Sequence, residues 1–296
     1  MNLTSKGEIK NLLKKYQIRP SKGLGQNFLI DRGVVKKVIE AAELNLNDIV
    51  LEIGPGLGTL TQELAKKAGK VVAVEKDLKM IEVLKETLKD FKNIEVIRGD
   101  IRKINIKYCM PNAGYKVVAN LPFYLTAPVI RKFLEAENPP KEMILIVQKE
   151  VGQRICAKPP DMNLLAVSVQ FYSKPKIISY ISKKSFWPQP KVDSAIIKIV
   201  PGGASENPAA AGFSDGAKSK EFRDLFFKIV KAGFSQPRKQ LINNLSKELK
   251  IEKEKIEKWL IENGIQPTQR AETLNIEDWV WLTKESRQIL NRDLEK

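Results

Sequence analysis

Between residues 48 and 183, short apolar runs alternate with stretches of helical spacing. The runs fall at 48–53, 70–74, 94–97, 115–119, 142–148, 175–181 and 192–200. Their length and their Val, Ile and Leu content predict strands of a buried sheet. Apolar residues three and four apart predict helices at 59–68, 77–90, 125–136, 150–156 and 162–172, and Asp31 is placed to cap another at 32–43. This alternation predicts an α/β fold with a mainly parallel sheet. The last two runs lie close together around the segment FWPQPKVDS at 186–194, so they read as a hairpin with an antiparallel edge strand.

The ends of the chain depart from this pattern. Residues 1–19 read as a basic amphipathic helix, with Ile9, Leu12, Leu13 and Tyr16 on one face and Lys6, Lys10, Lys14 and Lys15 exposed. Packing on the main domain and contact with a polyanion both suit such a helix. Residues 20–31, PSKGLGQNFLID, form a glycine-punctuated loop, and residues 201–219 are a Gly-, Ala-, Ser- and Pro-rich linker. Beyond it, helical patterns at 220–232, 237–249, 252–263 and 275–284, with room for a last one at 285–294, predict a small all-helical domain. The expected organisation is a catalytic domain over 1–200 (including the N-terminal helix and loop, 1–31), the linker, and a helical domain over 220–296.

Four successive strands end in residues suited to ligand contact. The first runs into Gly54-Pro55-Gly56-Leu57-Gly58, whose glycines let backbone N–H groups approach a ligand closely. A dinucleotide fingerprint needs its third glycine at position 59, which is threonine, so the spacing excludes a nicotinamide enzyme. The second strand ends at Glu75, about 20 residues past the turn, where doubly wound folds place a ribose-binding carboxylate. The third ends in Gly99-Asp100 and the fourth in Asn120-Leu121-Pro122-Phe123. Ligands in open α/β sheets bind at the carboxyl ends of strands.

Composition narrows the chemistry. The 296 residues carry 51 Lys plus Arg against 35 Asp plus Glu, a net charge of +16 that favours a polyanionic partner such as RNA, DNA or an anionic membrane. A lysine-rich surface of thermophile type would give the same lysine count. There is no histidine, which excludes a Ser-His-Asp triad, a histidine base and histidine-bound metal. Cys109 and Cys156 lie far apart with no CxxC pair, so neither a disulfide framework nor a zinc site is expected. No signal-peptide core or membrane-length apolar run occurs, and a cytoplasmic, reducing location is expected.

The ordered set EIGPGLG, Glu75, Gly99-Asp100 and NLPF at 120–123 resembles the Rossmann-like methyltransferases that use S-adenosyl-L-methionine, and more narrowly the ribosomal RNA adenine N6-dimethyltransferases. The segments KGLGQNFLID at 22–31, VQKEV at 147–151, FWPQPKVDS at 186–194 and RKQLINNL at 238–245 extend the likeness over nearly the whole chain. The resemblance implies a seven-stranded methyltransferase sheet and S-adenosyl-L-methionine as cofactor, with no metal. It places Asn27, Leu29, Gly54, Gly56, Glu75, Lys76, Asp100, Ile101 and Asn120 about that cofactor. Asn27 and Leu29 would border its methionine and adenosine parts. Gly54 would approach its methionine end, Glu75 its ribose hydroxyls, and Asp100 its adenine amine, with Ile101 beside the ring. Lys22, Gln26 and Phe28 would close over the entry site of the target adenine.

The exocyclic amine of adenine is a poor nucleophile, so a catalyst must hold the base and turn its lone pair to a methyl donor. Asn120 offers a carbonyl acceptor, Pro122 constrains the turn so that the Leu121 carbonyl faces the amine, and Phe123 offers a stacking face. Phe186 either gives a second stacking face or fills a hydrophobic corner. The family usually has tyrosine where this chain has Phe123. The implied reaction is dimethylation of two adjacent adenines near the 3′ end of 16S-type rRNA by a monomer acting on the 30S subunit or its precursor. Arg131, Lys149, Arg154, Arg238 and Lys239 would hold phosphates, and the helical domain would dock the substrate. A 23S rRNA methyltransferase of the macrolide-resistance type, a non-catalytic assembly factor and a DNA adenine methyltransferase are the competing readings.

Overall fold

The computed structural model describes residues 1–21, 23–110, 114–202 and 220–286. Lys22, nearly all of the expected linker and most of the expected last helix lie outside these residues. The strands are β1 (Phe28–Leu29), β2 (Ile49–Ile53), β3 (Lys70–Glu75), β4 (Ile94–Arg98), β5 (Lys116–Asn120), β6 (Glu142–Gln148), β7 (Ser173–Ile181), β8 (Phe186–Trp187) and β9 (Ser194–Pro201). Seven of them form one sheet in the order β4-β3-β2-β5-β6-β9-β7. The pairs from β4 through β6 are parallel, whereas β9 runs antiparallel to β6, from Met143 opposite Ile199 to Gln148 opposite Ser194.

The two final strands neighbour each other as expected, and their sequences explain their order. In β9, Ala195, Ile196, Ile197 and Ile199 are fully buried, which suits an inner strand. In β7, burial alternates and Lys176, Ile178 and Tyr180 are exposed, which suits the outermost strand. From β2 the chain steps outward through β3 to β4, then returns to β5 on the other side of β2. That reversal opens a crevice at the carboxyl ends of β2 and β5, the switch point at which such sheets bind ligands.

A second, two-stranded ladder has no counterpart in the sequence pattern. Phe28 of β1 pairs with Trp187 of β8, and Leu29 with Phe186. Ser185 Oγ donates to Asp31 Oδ2 at 2.8 Å, while Asp31 Oδ1 caps the helix Arg32–Ala41 through Gly33 N and Val34 N. The loop before the first core helix is thereby tied to the FWPQP segment. The N-terminal helix, Lys6–Lys15, buries Ile9, Leu12 and Leu13 against Leu57, Met80 and Val83. Its apolar face is thus a packing face.

At the opposite end of the strands sits a buried ionic cluster. Lys116 Nζ lies 3.0 Å from Glu142 Oε1 and 3.4 Å from Asp48 Oδ2, and donates to the carbonyls of Ala42 and Glu43. Lys198 Nζ bridges Glu142 Oε2 at 2.7 Å and Glu43 Oε1 at 3.1 Å.

The chain divides into two compact units, Met1–Gln153 with Pro175–Pro201, and Arg154–Lys174 with the chain from Gly202. The second unit thus takes in residues 154–174, which the sequence pattern assigns to the catalytic domain. The cause is packing: Val167 and Phe171 share a core with Phe226, Trp259 and Trp279, and the Phe171 and Phe226 ring centroids are 4.2 Å apart. Its helices include Lys220–Gly233, Leu241–Leu249, Lys253–Glu262 and Ile276–Glu285. Among the described residues no helix is long and apolar enough to cross a membrane, and no group of three or more His, Cys, Asp or Glu could hold a metal.

Candidate active site

The turn after β2 holds Gly54 at φ +68° and Gly56 at φ +59°, backbone that favours glycine. A Cβ on Gly54 would meet nothing within 4 Å, because the residue faces a cavity. That cavity measures about 110 Å³ and collects the ends of the strands: Gly54, Glu75, Asp100 and Asn120 all line it. Gly56, Lys76 and Ile101 line it too, and from the N-terminal loop come Gln26, Asn27, Phe28 and Leu29. Every residue expected about the cofactor is thus brought to one place.

Glu75 is fixed by three backbone donors: Oε2 accepts from Gly56 N at 3.2 Å, and Oε1 from Lys76 N at 2.7 Å and Asp77 N at 2.8 Å. Burial pushes its carboxyl up from the ordinary value, and these donors work against that. Asp100 is crowded instead. Its Oδ1 accepts from Arg102 N and Nε, both at 3.0 Å, and its Oδ2 accepts from Arg102 Nη2 at 2.6 Å with Lys76 Nζ 3.2 Å away. The Arg102 guanidinium holds the carboxyl well below the usual carboxylate range. A carboxylate offers about four lone-pair sites, and the Arg102 and Lys76 contacts occupy that number. The sequence marks Asp100 as a strand-end acid but does not show that Arg102, two residues on, neutralises it.

Glu52 is a second residue that sequence reasoning passes over, although it is the one charged side chain inside the apolar run of β2. It lines the same cavity and is 1% exposed. Burial pushes its carboxyl up to about 8, the Thr61 hydroxyl opposes the shift, and the nearby Glu75 charge adds to it. The folded chain therefore holds a proton that the unfolded chain releases near its ordinary value of 4.5, so this contribution to stability falls as pH rises from 4.5 through 8. Glu52→Gln keeps the neutral shape. Calorimetry of both proteins across this range should show the wild type losing more Tm than the variant; superimposed profiles would mean that Glu52 is ionised.

A narrow cavity of about 20 Å³ lies beside the first and shares Gly25, Asn27 and Asn120 with it. Leu121, Phe123, Phe186, Pro190 and Ser194 complete its walls. Asn120 ends β5 and its Nδ2 donates to the Asn27 carbonyl at 3.1 Å. Pro122, at φ −54° and ψ 136°, leads into a 3₁₀ turn, Phe123–Leu125. Within that turn the aromatic pair splits: Phe123 lines the narrow cavity and Tyr124 the larger one. Tyr124 therefore does not replace the hydroxyl that tyrosine would bring at position 123. Phe186 fills a hydrophobic corner, packed in the core with Leu29 and Ile181, and it also lines the narrow cavity. Gln26 and Phe28 line the larger cavity, and Gln26 Nε2 reaches Asp77 Oδ2 at 2.8 Å. Its part is to pin the loop, and Lys22 lies outside the described residues.

A family profile described as ribosomal RNA adenine dimethylase matches residues 18–288. The chain belongs to the ribosomal RNA adenine dimethylase family. Within this family's relatives, a ribosomal RNA small subunit methyltransferase A of Dehalococcoides mccartyi is 44% identical over 273 residues, covering 92% of this chain and 90% of that one. The enzyme of the same name from Alkaliphilus oremlandii is 40% identical over 284 residues, covering 94% and 95%. A dimethyladenosine transferase from Plasmodium falciparum superposes with a TM-score of 0.70 at 27% identity, over 88% of this chain and 97% of that one. The 23S rRNA methyltransferase ErmE superposes with a TM-score of 0.69 at 24% identity, over 87% and 98%, a likeness of fold. Of the two adjoining cavities, the larger presents a glycine turn and two carboxylates, and the narrow one an amide with aromatic walls.

Proposed function

We infer that this chain methylates the N6 amines of two adjacent adenines near the 3′ end of small-subunit, 16S-type rRNA, with S-adenosyl-L-methionine as cofactor. It acts on the small subunit or its precursor, in the cytoplasm and as a monomer. The reading rests above all on the shared wall of Gly25, Asn27 and Asn120, beyond which Leu121, Phe123 and Phe186 lie directly against the larger cavity. The relatives named as small-subunit enzymes support the choice of RNA.

The residues divide the work. Gly54, Gly56, Glu75 and Asp100 would hold the cofactor, which when bound supplies an electrophilic methyl group. Asn120 commits its amide N–H to Asn27 and keeps its oxygen side for an adenine amine, so the lone pair of that amine can be turned across the shared wall. Phe123 gives the base a face to stack on. No ionised base is required, and the catalytic contribution is positioning. At about 20 Å³ the narrow cavity holds a water and not a base, so its walls must part when adenine enters. The helical unit would dock the particle.

The test is transfer of labelled methyl groups to unmethylated small ribosomal subunits, with the modified bases mapped. Dimethyladenine at two adjacent positions near the 3′ end is the expected product. Transfer to large-subunit rRNA alone, or tight binding without transfer, would overturn the reading. In a separate calorimetric titration Glu75→Gln should weaken cofactor binding about 10- to 100-fold, the loss expected for hydrogen bonds to a charged acceptor. An unchanged affinity would remove Glu75 from the cofactor site.

A further inference from the structure

The loop after β7 has two faces. Pro190 and Ser194 line the narrow cavity, whereas their chain neighbours Lys191 and Asp193 line a separate, open groove. Val192 and Lys183 of the same loop and Lys149, Glu150 and Gln153 of the helix Lys149–Ile155 complete that groove. Consecutive Cα atoms are about 3.8 Å apart, so groove and cavity are separated by little more than one residue of chain.

The groove is held in shape by its own backbone. Lys149 N donates to the Asp193 carbonyl at 3.0 Å, and Lys183 N donates to Asp193 Oδ1 at 3.0 Å. Asp193 thereby joins the helix to the loop, and one of its carboxylate oxygens is turned into the fold. Glu150 is the other acid present, against the three lysines. At the margin stands Tyr180 of the edge strand β7, 51% exposed although aromatic. Lys149 Nζ lies 5.2 Å from its ring centroid, and Gln153 Nε2 lies 3.5 Å from its hydroxyl. A presented ring beside lysines, on a fixed frame, is the arrangement that holds single-stranded nucleic acid: cations track the phosphates and the ring takes a base.

We propose that this groove binds the RNA strand flanking the target adenine, with Lys149, Lys183 and Lys191 contacting phosphates and Tyr180 stacking a neighbouring base. The proposal rests on the reading of the narrow cavity as the adenine site. It adds a place for the next nucleotide, so that the strand is gripped on both sides of the loop that walls the cavity.

Two measurements on the full-length protein test it. The first is methyl transfer to unmethylated small subunits as a function of subunit and KCl concentration. Tyr180→Leu should raise KM about tenfold at unchanged kcat, the loss of one stacked base, whereas Tyr180→Phe should behave as wild type. Replacing the three lysines by glutamine should flatten the slope of log kcat/KM against log salt by about 0.7 per lost phosphate contact. The second is fluorescence anisotropy with a labelled single-stranded oligonucleotide carrying the small-subunit 3′-terminal sequence, which reads the groove without methyl transfer. Wild-type binding, weakened in Tyr180→Leu and in the lysine variant, is expected. Failure of the wild type to methylate would then strike the function alone. No binding by the wild type, binding unchanged in the variants, or equal damage from phenylalanine and leucine at 180 would overturn the groove.

Discussion

Asn120→Ala should lower the single-turnover rate of methyl transfer by about 10²–10³-fold, the usual cost of removing one preorganised polar group from a reacting centre. Two losses combine in that figure. The carbonyl that would accept from the adenine amine disappears, and so does the 3.1 Å bond to Asn27 that orients it. The variant should still fold, because Asn120 is the last residue of β5 and Val117, Val118 and Ala119 carry the packing. Asn120→Asp separates the two losses. It restores an acceptor but sets a carboxylate against the Asn27 carbonyl, so it should recover only a small part of the rate. The measurement is a single-turnover experiment with unmethylated small subunits and saturating cofactor, with cofactor binding checked by calorimetry. A wild-type rate in Asn120→Ala would remove Asn120 from the chemistry.

The second large effect lies at the other end of the strands. Lys116→Met should destabilise the sheet unit by about 3 kcal/mol, the lower end of the cost of breaking a buried ion pair, because Asp48 loses its cation while Glu142 keeps Lys198. Asp48 and Glu142 are 5% and 8% exposed, and the carbonyls of Ala42 and Glu43 would lose their donor as well. At about 2–4 °C per kcal/mol for a domain of this size, the fall in Tm is large enough for any thermal scan. Adding Asp48→Asn should return part of it, since a neutral amide needs no counter-charge. Cofactor affinity measured well below the transition should stay as in wild type, because the cluster lies at the amino ends of strands whose carboxyl ends form the site. A Tm unchanged in Lys116→Met would show that the cluster is solvated.

The sheet and the cofactor cavity were legible because each central strand is a buried run that stops at a chemically distinct residue: Gly54, Glu75, Asp100 or Asn120. The hydrophobic pattern reports which face of an element is covered, and says nothing of what covers it. The helix Leu164–Gln170 therefore fits the strand–helix alternation although it packs against the helix Lys220–Gly233. The β1–β8 ladder has two residues per strand, too few for any period. The bond between Asn27 and Asn120 joins positions 93 apart in the chain, and no local rule reaches that far. The Arg102 contact on Asp100 and the raised carboxyl of Glu52 lie beyond such patterns for a related reason. Residue type gives a group's ordinary charge, and only its neighbours and its burial decide what charge it keeps.

The route of the chain through its two units has a consequence for biosynthesis. The segment 154–174 leaves the ribosome early, yet the core it enters is completed by Phe222, Phe226 and residues beyond. Phe171 emerges about fifty residues before Phe222, which at about 5–20 residues per second is roughly 3–10 s of translation. Over that interval Met162, Val167 and Phe171 have no permanent cover, while β9, needed to seal the sheet, is still being made. The nascent chain thus passes through a stage at which both units are incomplete together, and that stage is where chaperone capture and aggregation would compete with folding.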